Sequence, residues 1–145
     1  MTPLVMEFTV AASCEHAFDL WSNRPSLWWP RSHTISRADD LEIIFERHPG
    51  GRIYERTGDG TEHDWGEVTA WEPPNRVTYR WHLFFDPADA TSVEVTFASG
   101  KEGTAVRIEH RGWERLGAKG PDRRTNTGRA WGAIIPVYAE ACRTA

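Results

Sequence analysis

The chain has 145 residues, the length of a single domain, and we predict one domain over residues 1–145. Apolar residues are 39% and charged residues 26% of the chain, a balance that excludes intrinsic disorder. The net charge is −4 with no long run of one sign, so we expect no nucleic-acid partner. No apolar stretch approaches the ~18 residues of a membrane span.

The N-terminus and the cysteines bear on location. The first ten residues lack a basic region and contain Glu7, so we expect no signal peptide. The two cysteines, Cys14 and Cys142, are too few for a disulfide framework. We therefore expect free thiols and a cytoplasmic protein.

The N-terminal third is predicted to form one strand and two short helices. Residues 3–10 alternate between apolar and polar side chains, as in a half-buried strand. Ser13 can cap a helix that runs to about Ser22. Pro25 can open a second short helix, which Pro30 closes.

Residues 41–112 have a period of two and are predicted to form six consecutive antiparallel strands. Turns rich in glycine and proline separate them, and Asp59-Gly60 is the strongest hairpin signal. The clearest alternation puts four apolar side chains on one strand face: Val77, Tyr79, Trp81 and Leu83.

The C-terminal region switches to helical spacing. Residues 112–120 are predicted to be a loop, and Pro121-Asp122 to open a long helix. Pro136 lies inside that helix and predicts a kink. Spacings of three and four place six residues on one face: Gly128, Trp131, Ile135, Tyr138, Ala139 and Cys142.

The long helix is the element left to cover the curved sheet, which makes the fold class α+β. This order resembles the helix-grip fold of START and birch-pollen-allergen proteins. Four stretches, Gly-Gly-Arg, Trp-Gly-Glu-Val, Glu-Pro-Pro-Asn-Arg and Gly-Trp-Glu-Arg-Leu, are similar to the SRPBCC superfamily. Within it the whole chain is most similar to homologues of the C-terminal domain of the heat-shock-protein-90 ATPase activator.

The resemblance implies about seven strands wrapped around the long helix and leaves the function open. Members include lipid carriers, hormone and polyketide binders, cyclases and cochaperone domains. The cochaperone carries a separate N-terminal chaperone-binding domain, which we do not expect here. Our leading hypothesis is non-catalytic binding of a small hydrophobic or aromatic molecule between sheet and helix. The alternatives are a chaperone-activator-like interaction module, with a chaperone as partner, and a cyclase or hydrolase using His110.

Two inward polar residues could orient such a ligand. Strand phase puts His110 on the side of Ile108, and Glu55 shares the phase of Ile53. Either can instead be structural, His110 as a hydrogen-bonded core residue and Glu55 in an ion pair with an arginine. We predict sixteen ligand-binding residues: Trp29, Phe45, Ile53, Glu55, Val68, Tyr79, Trp81, Leu83, Val95, Phe97, Ile108, His110, Trp113, Gly128, Trp131 and Ile135.

The eight tryptophans divide by position. Trp113 is expected to close one end of the space, and Trp28 with Trp29 the other. Trp65 and Trp71 share a phase with polar residues, so alternation does not place them inside. A core that the rings fill completely, without a vacancy, is the alternative to a cavity.

The remaining polar clusters carry weaker signals. His63, Asp64 and His82 fit no metal-ligand spacing, and a turn and an outward strand position explain them. Six basic residues between Arg111 and Arg129 form either a solvated helix entrance or a contact for an anionic ligand or partner. We predict no metal, no cofactor and no assembled catalytic site.

Overall fold

The computed structural model describes residues 1–144 and has one antiparallel sheet of seven strands. The strands are β1 (Leu4–Val10), β2 (Glu42–Phe45), β3 (Arg52–Arg56), β4 (Glu62–Glu72), β5 (Arg76–Trp81), β6 (Thr91–Gly100) and β7 (Gly103–Arg111). Their order across the sheet is β1-β7-β6-β5-β4-β3-β2. The helices are α1 (Cys14–Ser22) and α2 (Gly120–Thr144), with 3₁₀ turns at Pro25–Leu27, Arg31–His33, Pro87–Asp89 and Trp113–Lys119.

The predicted α+β helix-grip fold is confirmed, including the six-strand meander and the long C-terminal helix. The Ser13 cap is also as predicted, because its hydroxyl accepts a hydrogen bond from the His16 amide at 3.1 Å. The prediction for residues 112–120 was wrong. Two short 3₁₀ turns, separated by a break at Gly117 (φ 58°, ψ −128°), occupy Trp113–Lys119, and α2 begins at Gly120.

Trp65 is completely buried, which alternation did not indicate. The pairing of β3 with β4 shifts at this point: Ile53 faces Gly66, and the next residue, Tyr54, faces Asp64. Trp65 is therefore the extra residue of a β-bulge, where strict alternation breaks down. The bulge rotates the backbone locally, so the Trp65 ring, which strict alternation would place on the outer face of the sheet, points into the core.

Aromatic rings join the helices over the middle of the sheet. Trp21 of α1 stacks on Trp131 of α2 with ring centroids 5.9 Å apart, and it packs edge-on against Tyr138 at 4.9 Å. The Tyr138 hydroxyl donates to the Ala17 carbonyl oxygen at 2.6 Å. These rings fill the centre of the core, so any vacancy must lie elsewhere.

No helix within residues 1–144 combines the length and the apolar character needed to cross a membrane. Both cysteines, Cys14 and Cys142, are free and buried. Pro136 lies inside α2, as predicted, with its side chain exposed.

Candidate functional site

A cavity of about 190 Å³ lies between α2 and the end of the sheet where β5, β6 and β7 meet. Its walls are mostly apolar, and three tryptophans contribute to them. The lining residues are Trp29, His33, Trp81, Leu83, Phe84, Phe85, Thr91, His110, Arg123, Asn126, Thr127, Ala130, Trp131 and Ile134.

Five of the predicted ligand-binding residues meet at this cavity: Trp29, Trp81, Leu83, His110 and Trp131. Another eight apolar or aromatic ones are buried in the core away from it: Phe45, Ile53, Val68, Tyr79, Val95, Phe97, Ile108 and Trp113. Gly128 and Ile135 of α2 are half-buried and do not line it either. The predicted pocket spanned the whole sheet, whereas the central rings confine the vacancy to one end.

Most of the helical wall was not predicted from the sequence. Arg123, Thr127, Ala130 and Ile134 lie at helical spacings from Trp131 or from one another, so widening the predicted face and extending it toward the helix start would have found them. Phe84 and Phe85 carry no such signal. They follow β5 in a turn, and Phe84 has a positive φ of 73°.

The two phenylalanines form the rim of the cavity. Phe84 is 53% and Phe85 46% exposed, which is unusual for large apolar side chains. The positive φ of a bulky residue such as Phe84 is an uncommon backbone state. This turn holds two rings beside the mouth, in contact with both the cavity and the surroundings.

His110 is held by hydrogen bonds at both ring nitrogens. The indole N–H of Trp131 donates to Nδ1 at 3.1 Å, and Nε2 lies 2.6 Å from the hydroxyl of Thr91. An indole N–H is only a donor, so Nδ1 must be an acceptor and the proton sits on Nε2. Thr91 then accepts from Nε2 and directs its own hydroxyl toward the Trp81 carbonyl oxygen at 3.4 Å.

The imidazole of His110 is neutral. Burial, together with the nearby positive charge of Arg123, lowers the pKa of His110 to about 3. Its ring also packs on Trp113, with centroids 4.5 Å apart. A neutral imidazole with both nitrogens occupied is a fixed part of the wall and a poor proton carrier.

Glu55 lies away from the cavity and fastens a loop to the sheet. Its carboxylate accepts hydrogen bonds from the amides of Ile35 and Ser36, at 2.6 and 2.9 Å, and from the Trp65 indole at 2.8 Å. Burial acts to raise the pKa of Glu55, but the hydrogen bonds from Ser36, Ile35 and Trp65 outweigh it and the pKa is lowered. The expected arginine partner is replaced by backbone N–H groups and an indole.

Arg123 is the charged side chain of the cavity wall. It is only 9% exposed, and its guanidinium carbon lies 3.6 Å from the centroid of the Phe85 ring. One of its terminal nitrogens donates to the Asp89 carbonyl oxygen at 2.7 Å. From the sequence, Arg123 was only one member of a basic stretch. In the structure its side chain is buried between α2 and the turn after β5.

The remaining polar clusters stay without a metal-binding geometry. Within residues 1–144 no group of three histidine, cysteine or acidic side chains could hold a metal ion. His82 was predicted to point outward and is instead buried, at 8% exposure. The reason is that β5 ends at Trp81, so His82 no longer follows the alternation of the strand.

The sequence matches a model of the family described as activator of Hsp90 ATPase homolog 1-like protein over residues 11–134. No protein with a curated description is detectably similar. Among solved structures, the chain is 36% identical to an anthrahydroquino-γ-pyrone synthase, Txn09, with 76% of each chain covered and a TM-score of 0.55.

Two more distant structures share the fold. The Aha1 protein from Colwellia psychrerythraea, solved as a dimer, is 17% identical, with 99% of this chain and 98% of that chain covered and a TM-score of 0.72. DynU16, from the dynemicin biosynthetic locus, is 18% identical with a TM-score of 0.72. The match covers 99% of this chain and 48% of DynU16.

Proposed function

The chain belongs to the family of activator of Hsp90 ATPase homolog 1-like proteins, and we propose that it binds a small planar aromatic molecule in the cavity between α2 and the sheet. The observation that carries this proposal is a ring-lined vacancy at one end of a core that is otherwise filled by rings. We also propose a cytoplasmic location, which the two free cysteines support.

The size of the cavity favours a guest of about two fused rings. An apolar protein cavity of about 150 Å³ accepts benzene. The 190 Å³ here is somewhat larger, and the exposed rings of Phe84 and Phe85 line it, so a longer guest can extend past them. Pockets for larger ligands run from about 300 Å³ upward.

The shape of the walls favours a flat guest. Trp29 packs against Trp81 and Trp131 at steep angles, with interplanar angles of 62° and 82°. Rings set this way present both faces and edges to the space between them, and aromatic guests pack well against both. The synthase that is 36% identical is named for a fused aromatic compound, which supports the same class of guest.

Binding without chemistry is favoured by the state of His110. The residue that could move a proton is neutral and has both nitrogens engaged. A ring-closing enzyme is the second candidate, because the 36% identical relative is named as a synthase. In that case the cavity would act by folding and orienting a substrate, with no proton transfer by His110.

A direct binding experiment tests the proposal. We expect 2-naphthol, added to ¹⁵N-labelled protein, to shift the indole N–H resonances of Trp29, Trp81 and Trp131. Ala130→Phe should abolish binding, since Ala130 lines the cavity and the new ring would occupy it. The matched control is Ala133→Phe, on an exposed position of the same helix. If 2-naphthol shifted the indole resonances equally in the two variants, the proposal that it binds in this cavity would be contradicted.

Chaperone activation is tested separately, because the family description names an ATPase activator. Purified protein is mixed with the ninety-kilodalton chaperone of its host, and ATP hydrolysis is measured. We expect no stimulation. Stimulation that Ala130→Phe leaves intact would assign the function to an outer surface and not to the cavity.

A further inference from the structure

Arg123 carries a positive charge on a buried side chain. None of the ion pairs formed within residues 1–144 includes it. The acidic group whose charge acts on Arg123 is Asp89, but its carboxylate pairs with Lys119 at 3.1 Å. Arg123 instead uses the backbone carbonyl oxygen of Asp89. A buried arginine is usually matched by a carboxylate, so this arrangement is unusual.

The cavity itself supplies no compensating charge. None of its described lining residues is acidic, and Arg123 is the one that carries a permanent charge. A guanidinium has five N–H donors, of which one donates to a protein acceptor within residues 1–144. The side chain therefore brings unused donors and a positive charge to a wall that is otherwise mostly aromatic.

The orientation of Arg123 is fixed in advance. The flat face of its guanidinium lies on the Phe85 ring, and its bond to Asp89 anchors one edge. Lysine has no planar group and could not stack on the Phe85 ring in the same way. A side chain held in this way loses little further conformational entropy when it binds a ligand. Such preorganisation is typical of residues that recognise a ligand.

From this geometry we infer that the guest of the cavity is an aromatic carboxylic acid, whose carboxylate accepts hydrogen bonds from Arg123 while its rings pack among the tryptophans. The inference rests on the proposed function and adds the polar group of the ligand. It also gives Arg123 the specificity-determining role, because a neutral ring of the same shape would leave the guanidinium unpaired.

The test compares two probes of nearly equal shape, 2-naphthoate and 2-naphthamide, by calorimetric titration at neutral pH. We expect the wild-type protein to bind 2-naphthoate at least about tenfold more tightly, the effect of one charge-assisted pair. Arg123→Met should remove this preference while the affinity for 2-naphthamide changes by less than about threefold. Arg123→Lys should keep part of the preference, because the charge remains.

The matched control is Arg124→Met. Arg124 is the next residue of α2, donates to the carbonyl oxygens of Thr2 and Pro3, and does not line the cavity. Arg124→Met should leave the affinities for 2-naphthoate and 2-naphthamide unchanged. The wild-type comparison decides the matter even if Arg123→Met does not fold.

The outcomes separate the two proposals. Equal affinity of the wild type for both probes, or a preference that survives in Arg123→Met, would overturn the inference and leave the binding function standing. Failure of the wild type to bind either probe would overturn the binding function itself, and the inference with it.

Discussion

The indole nitrogen of Trp131 in α2 lies 3.1 Å from Nδ1 of His110 in β7, so one hydrogen bond joins the helix to the sheet inside the core. Both side chains are buried, at 2% and 1% exposure. The bond determines which nitrogen of His110 carries the proton, and it ties the cavity wall to the packing of the long helix.

The first prediction concerns this bond. His110→Leu should lower the free energy of unfolding by about 1–3 kcal/mol, because the buried Trp131 N–H loses its acceptor. His110→Gln should cost less, since its amide oxygen can accept from Trp131 and its NH₂ group can donate to Thr91. Urea denaturation of the two variants measures the difference. A glutamine variant as unstable as the leucine variant would show that the hydrogen bonds contribute little.

The second prediction is a pH dependence of stability. His110 has a pKa of about 3 in the folded protein and about 6.5 when unfolded, so the unfolded state binds the extra proton between these values. Its stabilising contribution is therefore complete above pH 6.5 and is lost as the pH falls toward 3. The slope should reach about 1.4 kcal/mol per pH unit. In His110→Gln this part of the slope, measured between pH 6.5 and 5 by urea denaturation, should disappear. An unchanged slope would mean that His110 protonates without penalty in the fold.

The third prediction concerns the loop held by Glu55. Glu55→Gln should reduce stability by about 1.5–3 kcal/mol, because a charged acceptor of three hydrogen bonds becomes a neutral amide with one acceptor oxygen. Hydrogen exchange at the Ile35 and Ser36 amides should accelerate beyond the global change. The control is Glu67→Gln, at an exposed position of β4, which should leave these two amides unaffected. Unaltered exchange in Glu55→Gln would show that the loop is held by other contacts.

The fourth prediction compares two glycines. A Cβ at Gly132, exposed in α2, would meet no atom within 4 Å, so Gly132→Ala should raise stability by about 0.4–1 kcal/mol. A Cβ at Gly66 would collide with the backbone oxygen of Arg80. Gly66→Ala should therefore lower the melting temperature, and Gly132→Ala should raise it. Thermal unfolding of both variants tests this, and a loss of stability in Gly132→Ala would point to a requirement for glycine that the helix geometry does not reveal.

The six-strand meander and the long helix could be predicted from the sequence because both depend on local periodicity. The alternation in residues 77–81 and the Asp59-Gly60 hairpin were sufficient to assign β5 and the turn between β3 and β4. The same rule failed at Trp65 and His82. A bulge at Trp65 and the end of β5 before His82 change the direction of these side chains. Neither feature can be recognised from the pattern of apolar residues.

The sequence by itself determined that this chain is a helix-grip domain with a ring-rich interior and an inward-facing His110. Tertiary packing alone decided where the rings leave space, because Trp21 and Tyr138 fill the centre and restrict the cavity to one end. Tertiary packing also determined the protonation state and the contacts of the buried polar residues. Burial and the charge of Arg123 keep His110 neutral, Trp131 and Thr91 hold its ring, and Arg123 itself packs on Phe85; all of these partners are distant in the chain. Periodicity tells which face of an element is inward, but only the contacts between elements fix what each inward group meets.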